Sequence, residues 1–482
     1  MIQLRKIIVL ILGILVCALL VSCWTETDDY INEYVYDNDY ITDETEANDY
    51  TITPYPIQPS FTGEPVHRDY LLWPEGRDRD WEQDIRHIAV IALRQHPLLI
   101  GFDSWRFPAT VNADELNATF NVALLRVADR HGIAADDSAG MSDELRALFI
   151  DRVNTLINNI PELSDLEVNY GLAGILALLS DAHSAVAVPM DEVFPAQLIS
   201  LYDGIYFIGV PVGMERALYG QLIAINGAST NEIIESLAKI ISHENTYNLR
   251  NTAARHFLTV REFLSYINVV CDYGMADFTV RGICGETFDI SLQAVDRNTF
   301  NNMLDTEFVR HEFNTLTHMH PEDAFWHEFF IEYNMLYIRS SSFSERYRAA
   351  SQATIRDLMD ELKNWPIDEK IETVVIDLRQ NGGGVFVWPE ISDISILSEV
   401  ANSVYVLIDN ATFSNGVTAA SNVVNHMENV MVTGEPTGQW ENFFGGPIGF
   451  LPNSGLRYQM SMSMRVQSSI DDVALRPDIF FL

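Results

Sequence analysis

Basic residues are scarce in this chain. Lys+Arg number 30 against 68 Asp+Glu in 482 residues, a formal net charge of -38. Such a surface repels a phosphate backbone, so nucleic acid is excluded as a partner. Cysteine is scarcer still, with four residues (Cys17, Cys23, Cys271 and Cys284) and no CxxC pair. Neither thiol redox chemistry nor a cysteine zinc site is supported. HExxH, GxxxxGK[ST] and GxGxxG are all missing, which removes the zincin helix, the nucleotide-phosphate loop and the dinucleotide fingerprint. His311, His318 and His320 cluster in a polar stretch but lack a partnered helical motif for a metal. No cofactor is expected.

The N-terminus carries what the rest of the chain lacks, a long uncharged apolar run. Arg5 and Lys6 precede an apolar core from Ile7 to Leu20, closed by Leu20-Val21-Ser22-Cys23. The pattern is that of an export signal, and its ending resembles a bacterial lipobox. The resemblance implies cleavage before Cys23 and lipid attachment to its thiol. The alternative is an uncleaved signal anchor, because no charge falls between Lys6 and Glu26. Either way the bulk of the chain lies outside the cytoplasm, where Cys271 and Cys284 would form a disulfide or remain buried thiols. Residues 24–65 read as an acidic disordered linker. Ten acidic residues and no Lys or Arg lie between Thr25 and Tyr50, and Pro54, Pro56 and Pro59 follow.

Three folded regions are expected after the linker. Residues 66–189 are helical, with apolar residues at helical spacing from Trp81 to Pro97, Asp114 to His131, Ser142 to Asn159 and Ser164 to Leu179, ending at Asp181-Ala182-His183-Ser184. Residues 190–298 turn to strands around an Asn-Gly turn and an amphipathic helix, and look like a PDZ-like β-rich module. Residues 299–482 alternate strand and helix, which argues for an α/β core within a multi-domain α+β chain.

Two segments of that last region carry the chemistry. ETVVIDLRQNGGG (Glu372 to Gly384) and VYVLIDNATFSNG (Val404 to Gly416) each run an apolar strand into a turn that exposes backbone N–H groups, and the second turn holds Ser414. A serine becomes a nucleophile when a base takes its proton and donors face the oxygen that gains charge. Ser414 could instead be a helix N-cap for the segment from Val417. The ordered set VVIDLRQNGGG, FSNG, VTGEPTG and the terminal RPDI at Arg476 to Ile479 resembles the C-terminal-processing and tricorn-core serine peptidases. That resemblance covers the chain from about Trp81 onward and implies a crotonase/Clp-like core. It makes Ser414 the nucleophile, with an oxyanion hole from the N–H groups of Gly382 or Gly383 and Asn415.

The base departs from one branch of that family, whose lysine falls in the loop matching GEPTGQW. Gln439 and Trp440 stand there, and no lysine occurs between Ser414 and Leu482. The tricorn-like branch uses an upstream histidine, and Asp181-Ala182-His183 matches its Asp-x-His pattern, making His183 the expected base. The resemblance places the orienting third group at Asp471 or Asp472, with Asp471 preferred on spacing; Asp181 is the alternative, fixing the turn that carries His183, and Glu435 inside the loop is a further candidate that reads more as structural. The expectation is an exported, membrane-tethered serine peptidase acting on peptides or unfolded protein. The alternatives are an inactive peptide- or ligand-binding protein of the same fold, and an esterase using the same site. Oligomeric state is not legible.

Overall fold

The computed structural model describes residues 80–102, 113–134, 137–270, 274–310, 320, 322–366, 369–467 and 474–480. The signal and lipobox with Cys23, the acidic linker, Cys271, His311, His318, Asp471 and Asp472 lie outside the described residues. Among those described, no helix is long and apolar enough to cross a membrane.

The helical region begins with α1 (Trp81–Gln95), followed by α2 (Ala113–His131), α3 (Ser138–Asn159) and α4 (Asp165–Ala177). Their starts follow capping chemistry. Asp80 caps α1 by accepting from Gln83 N–H, and Ser164 with Glu167 forms a reciprocal capping box on α4. α4 is apolar all round and buried along most of its length, so the turn that follows it, which carries His183, is anchored in the core.

After His183, strand β1 (Ala185–Val186) leads into the β-rich module, built from β2 (Gln197–Leu201), β3 (Gly204–Pro211), β4 (Gln221–Ile225), helix α5 (Thr230–Leu237), β5 (Met275–Arg281) and β6 (Thr287–Gln293). Its sheet runs β7-β3-β4-β5-β6, where β7 is Phe308–Arg310, and β2 pairs with β3. β7 lies past residue 298, so the module draws in the start of the following segment. Short helices between Thr246 and Tyr266 follow α5 in the chain connection from β4 to β5, which pair with each other in the sheet.

The C-terminal region holds a six-stranded sheet in the order β8 (Phe325–Phe330), β9 (Met335–Ser340), β10 (Ile371–Asp377), β11 (Ala401–Ile408), β12 (Val430–Gly434) and β15 (Ile479–Phe480). β8 is antiparallel and the rest are parallel. Helices α6 (Glu345–Lys363), α7 (Ile391–Val400) and α8 (Asn415–His426) connect the parallel strands, as parallel pairing requires. β10 and β11 are neighbours with Asp377 opposite Leu407. Both therefore end at one edge of the sheet, which sets the glycine turn beside the serine turn.

The helical region and the β-rich module share one hydrophobic cluster, and the C-terminal sheet has its own. The segment between β12 and β15 crosses from the second to the first, inserting Trp440, Phe444, Leu451, Leu456 and Met460. It also brings β13 (Ile448–Phe450) and β14 (Arg457–Gln459), and β14 pairs with β1 directly after His183. Fully buried Asp84 of α1 accepts the N–H groups of Asn453 and Ser454, both at 2.8 Å, fixing the turn between these strands.

Candidate active site

Ser414 sits where β11 turns into α8. Its backbone has φ 52° and ψ -124°, a sparsely populated conformation for a residue with a side chain. It occupies the N-cap position, yet its side chain makes no capping bond. The capping alternative therefore fails.

Its partner comes from the helical region. His183 Nε2 lies 3.1 Å from Ser414 Oγ, across 231 residues of sequence. The imidazole is sandwiched between Phe413 (centroids 4.9 Å apart, planes 27° apart) and Phe443 (5.7 Å and 15°). Burial lowers the His183 pKa below the ordinary histidine value, with Arg465 acting the same way and Asp181 opposing. The neutral imidazole is the favoured form near neutral pH.

Asp181 holds the backbone beneath that ring. Its Oδ1 accepts from His183 N–H at 3.0 Å, and its Oδ2 accepts from Ser184 Oγ at 2.6 Å and pairs with His96 Nε2 at 3.2 Å. Burial alone would raise this carboxyl. The His96 bond and charge, His183 and the Ser184 hydroxyl outweigh it, bringing Asp181 down to about 2. Ser184 Oγ in turn accepts from Ser461 N–H at 3.1 Å, tying the base turn to the crossing segment.

The two motif turns are stitched together by asparagines. Asn381 Oδ1 accepts from Gly383 N–H at 2.9 Å, its Nδ2 donates to Ser340 O at 3.0 Å, and its carbonyl accepts from Phe413 N–H at 2.9 Å. Asn415 Nδ2 donates to the carbonyls of Gly384 (2.6 Å) and Phe386 (3.2 Å). Gly383 has φ +87°, and a Cβ there would meet Ser414 Cβ at 2.6 Å. A Cβ on Gly384 would meet the Phe343 carbonyl carbon at 2.1 Å. Only glycine fits either place. The β10 end is fixed by Asp377, which accepts from Arg339 Nη1 (3.1 Å), Arg379 Nε (2.9 Å) and the Tyr337 hydroxyl (2.5 Å).

Not every expected role fits this arrangement. Gly383 N–H is committed to Asn381, so the expectation of a Gly383 oxyanion donor is corrected. The N–H groups of Gly382 and Asn415 donate to no acceptor among the described residues. Glu435 does not join the site. It accepts from Asn410 Nδ2 at 3.0 Å and lines a cleft with Tyr202 and Arg250 against the β-rich module, and burial with nearby Asp409 raises it to about 7.

The group on the far side of the imidazole is one that sequence reasoning passed over. Gln439 Nε2 lies 3.1 Å from His183 Nδ1 and donates to Glu244 Oε1 at 2.7 Å, while Gln439 Oε1 accepts from Ser414 N–H at 2.5 Å. Glu244 Oε2 accepts from Trp440 N–H at 3.1 Å. Burial and the Asp181 charge push Glu244 well above the usual carboxylate range, against the lowering by Gln439, Trp440 and Ala182 donors. Gln439 was visible in sequence only as the residue in place of a lysine. Glu244, inside a Ser-His-Glu-Asn run between helices, gave no signal. Asp181, His183 and Glu244 bring ligand-type atoms within 4.8 Å of one another, but a cation there would have to displace Gln439, His96 or Ser184.

No family model and no curated protein matches the sequence. Solved structures do. Mature CPAF superposes with TM-score 0.50 at 11% identity, covering 83% of this chain and 92% of its own. The chain has the fold of CPAF. A CPAF mutant structure gives TM-score 0.50 at 10% identity over the same shares, 83% and 92%. The photosystem II D1 C-terminal processing protease superposes more loosely, at TM-score 0.34 and 11% identity over 77% of this chain and 94% of its own. The CPAF-like fold is the mixed α/β architecture that the DLRQNGGG and FSNG motifs led one to expect.

Proposed function

We propose that this chain is a serine-type peptidase that hydrolyses peptide bonds through an acyl-enzyme. The observation that carries it is the 3.1 Å contact between His183 Nε2 and Ser414 Oγ on a strained strand-to-helix turn. With its proton on Nδ1, His183 accepts the Ser414 proton as Oγ attacks the scissile carbonyl, and returns it to the leaving amine. Water then enters, and His183 repeats the exchange to release the acid. The oxyanion faces the N–H groups of Asn415 and Gly382, near the N-terminus of α8, whose dipole also favours negative charge there.

The apolar run and Cys23 ending support placement outside the cytoplasm, on a lipid anchor with the acidic linker as spacer. Substrates of that compartment, peptides or unfolded protein, suit the function. An esterase would share every catalytic group and differ only in the bond cut.

Fluorophosphonate labelling tests the assignment. Wild type labels, and Ser414→Ala and His183→Ala do not. Undiminished labelling and peptide turnover in Ser414→Ala would sink it, and turnover confined to ester substrates would favour the esterase.

A further inference from the structure

Ser414 N–H can only donate, so the atom of Gln439 facing it at 2.5 Å must be Oε1. The amide's other end is then fixed as Nε2, which has two hydrogens and two neighbours, Glu244 Oε1 at 2.7 Å and His183 Nδ1 at 3.1 Å. A donor facing Nδ1 requires a lone pair on Nδ1. The neutral imidazole must then carry its proton on Nε2, pointed at Ser414 Oγ. In that tautomer His183 donates to the serine and cannot take its proton. Glu244 holds the amide in this sense, because Gln439 Nε2, Trp440 N–H and the Ala182 backbone N–H all donate to it.

We infer that Gln439 and Glu244 are a positioning pair that holds His183 in the resting Nε2–H tautomer, so that turnover requires the Gln439 amide to turn or withdraw from Nδ1. This rests on Ser414 and His183 being nucleophile and base. When the amide turns, Oε1 accepts from Nδ1–H and Nε2 is freed as the base. The imidazole gives its Nε2 proton to water and takes another on Nδ1, with no net change in charge. The turn gives up two bonds, from Ser414 N–H to Oε1 and from Nε2 to Glu244 Oε1, and a peptide substrate carbonyl seated over the turn would accept the first donor. Buried Glu244 is carried on a strand of chain held at its carbonyl by Arg130 Nη2 at 3.2 Å, and the adjacent Asn245 Nδ2 donates to Thr437 O at 3.2 Å. The lock is thereby joined to both the helical region and the loop that carries Gln439.

The test reads the proton directly. In 15N-histidine-labelled protein, with His183 assigned by its loss in His183→Gln, the ring-nitrogen shifts report which nitrogen is protonated. Wild type should show the proton on Nε2, and the one variant this reading needs is the His183→Gln used for assignment. Exchanging the pair, Gln439→Glu with Glu244→Gln, keeps a bond between them but turns an acceptor toward Nδ1. The proton should move to Nδ1, and fluorophosphonate labelling should accelerate by on the order of tenfold or more. Wild type protonated on Nδ1 overturns the inference. So does a folded exchange variant that keeps the Nε2 proton, or one that moves it without faster labelling. Persistent labelling of Ser414→Ala would instead defeat the peptidase assignment, while the ring-nitrogen pattern would still decide the lock.

Discussion

The two halves of the site are built by different means. The Ser414 half of the proposed site comes from one 45-residue stretch, and it is shaped by backbone: a strained serine, two crowded glycines and two asparagines that bond the turns to each other. The His183 half is shaped by buried side chains, with His183 hung on Asp181, His96 and Ser184 and stacked with two phenylalanine rings. Backbone turns can be written in a short local sequence, since glycine and the strand period fix them. A buried polar network needs contributions from wherever the chain passes, because each desolvated group must find a partner. A site divided this way can fail on either side.

The largest effect should come from removing either reacting group. Ser414→Ala and His183→Ala are each expected to lower peptide turnover by on the order of 10⁴ or more, and the double variant should lose no more than either alone, as groups that act together do. Additive losses in steady-state kinetics would show that the halves work independently. Gly383→Ala attacks the backbone half alone. With φ +87° and Ser414 Cβ 2.6 Å from the added carbon, turnover should drop about 10²-fold through displacement of Oγ, with little change in the His183 ring-nitrogen shifts.

Asp181→Asn attacks the other half, and its main cost is stability. Loss of the buried charge beside His96 should lower the urea-unfolding free energy by about 3 kcal/mol at neutral pH. Asp181 is lowered from 3.8 to about 2, so its contribution is whole above the unfolded value and is lost as pH falls through 2. The difference between variant and wild type should close over that interval. The smallest effect on turnover belongs to Glu435, which lies outside both halves. Its folded value is raised from 4.5 to about 7, so its contribution is present below 4.5 and is lost as pH rises through 7. Glu435→Gln should remove that slope, worth at most about 3 kcal/mol across the window, while leaving the pH dependence of turnover where it was. The acid limb of turnover itself should lie below the ordinary histidine value, because burial lowers His183.

Much of this was legible beforehand, for reasons that differ by region. The apolar strands before DLRQNGGG and FSNG, and the helices from Trp81 to Ala177, follow from period and capping residues. His183 was reachable because lysine is missing after Ser414 and the Asp-x-His motif remained. The donor role given to Gly383 was not safe, since sequence cannot show that Asn381 turns its side chain back onto that N–H. Glu435 shares a loop with Gln439 but points toward Asn410 and the β-rich module. Proximity in sequence says nothing about which side of a loop a residue faces.

By itself, then, the sequence determined the serine turn proposed to carry the nucleophile and the glycine turn beside it, because a parallel strand, a tight turn and a helix start are local events with local residue preferences. The tertiary structure decided that His183 reaches Ser414, that Gln439 and Glu244 stand behind it, and which N–H groups find no acceptor among the described residues. Those facts depend on Asp84 gripping the turn at Asn453 and on β1 pairing with β14. Contacts between segments hundreds of residues apart are set by the shared core they bury, and no stretch of sequence holds both ends of such a contact.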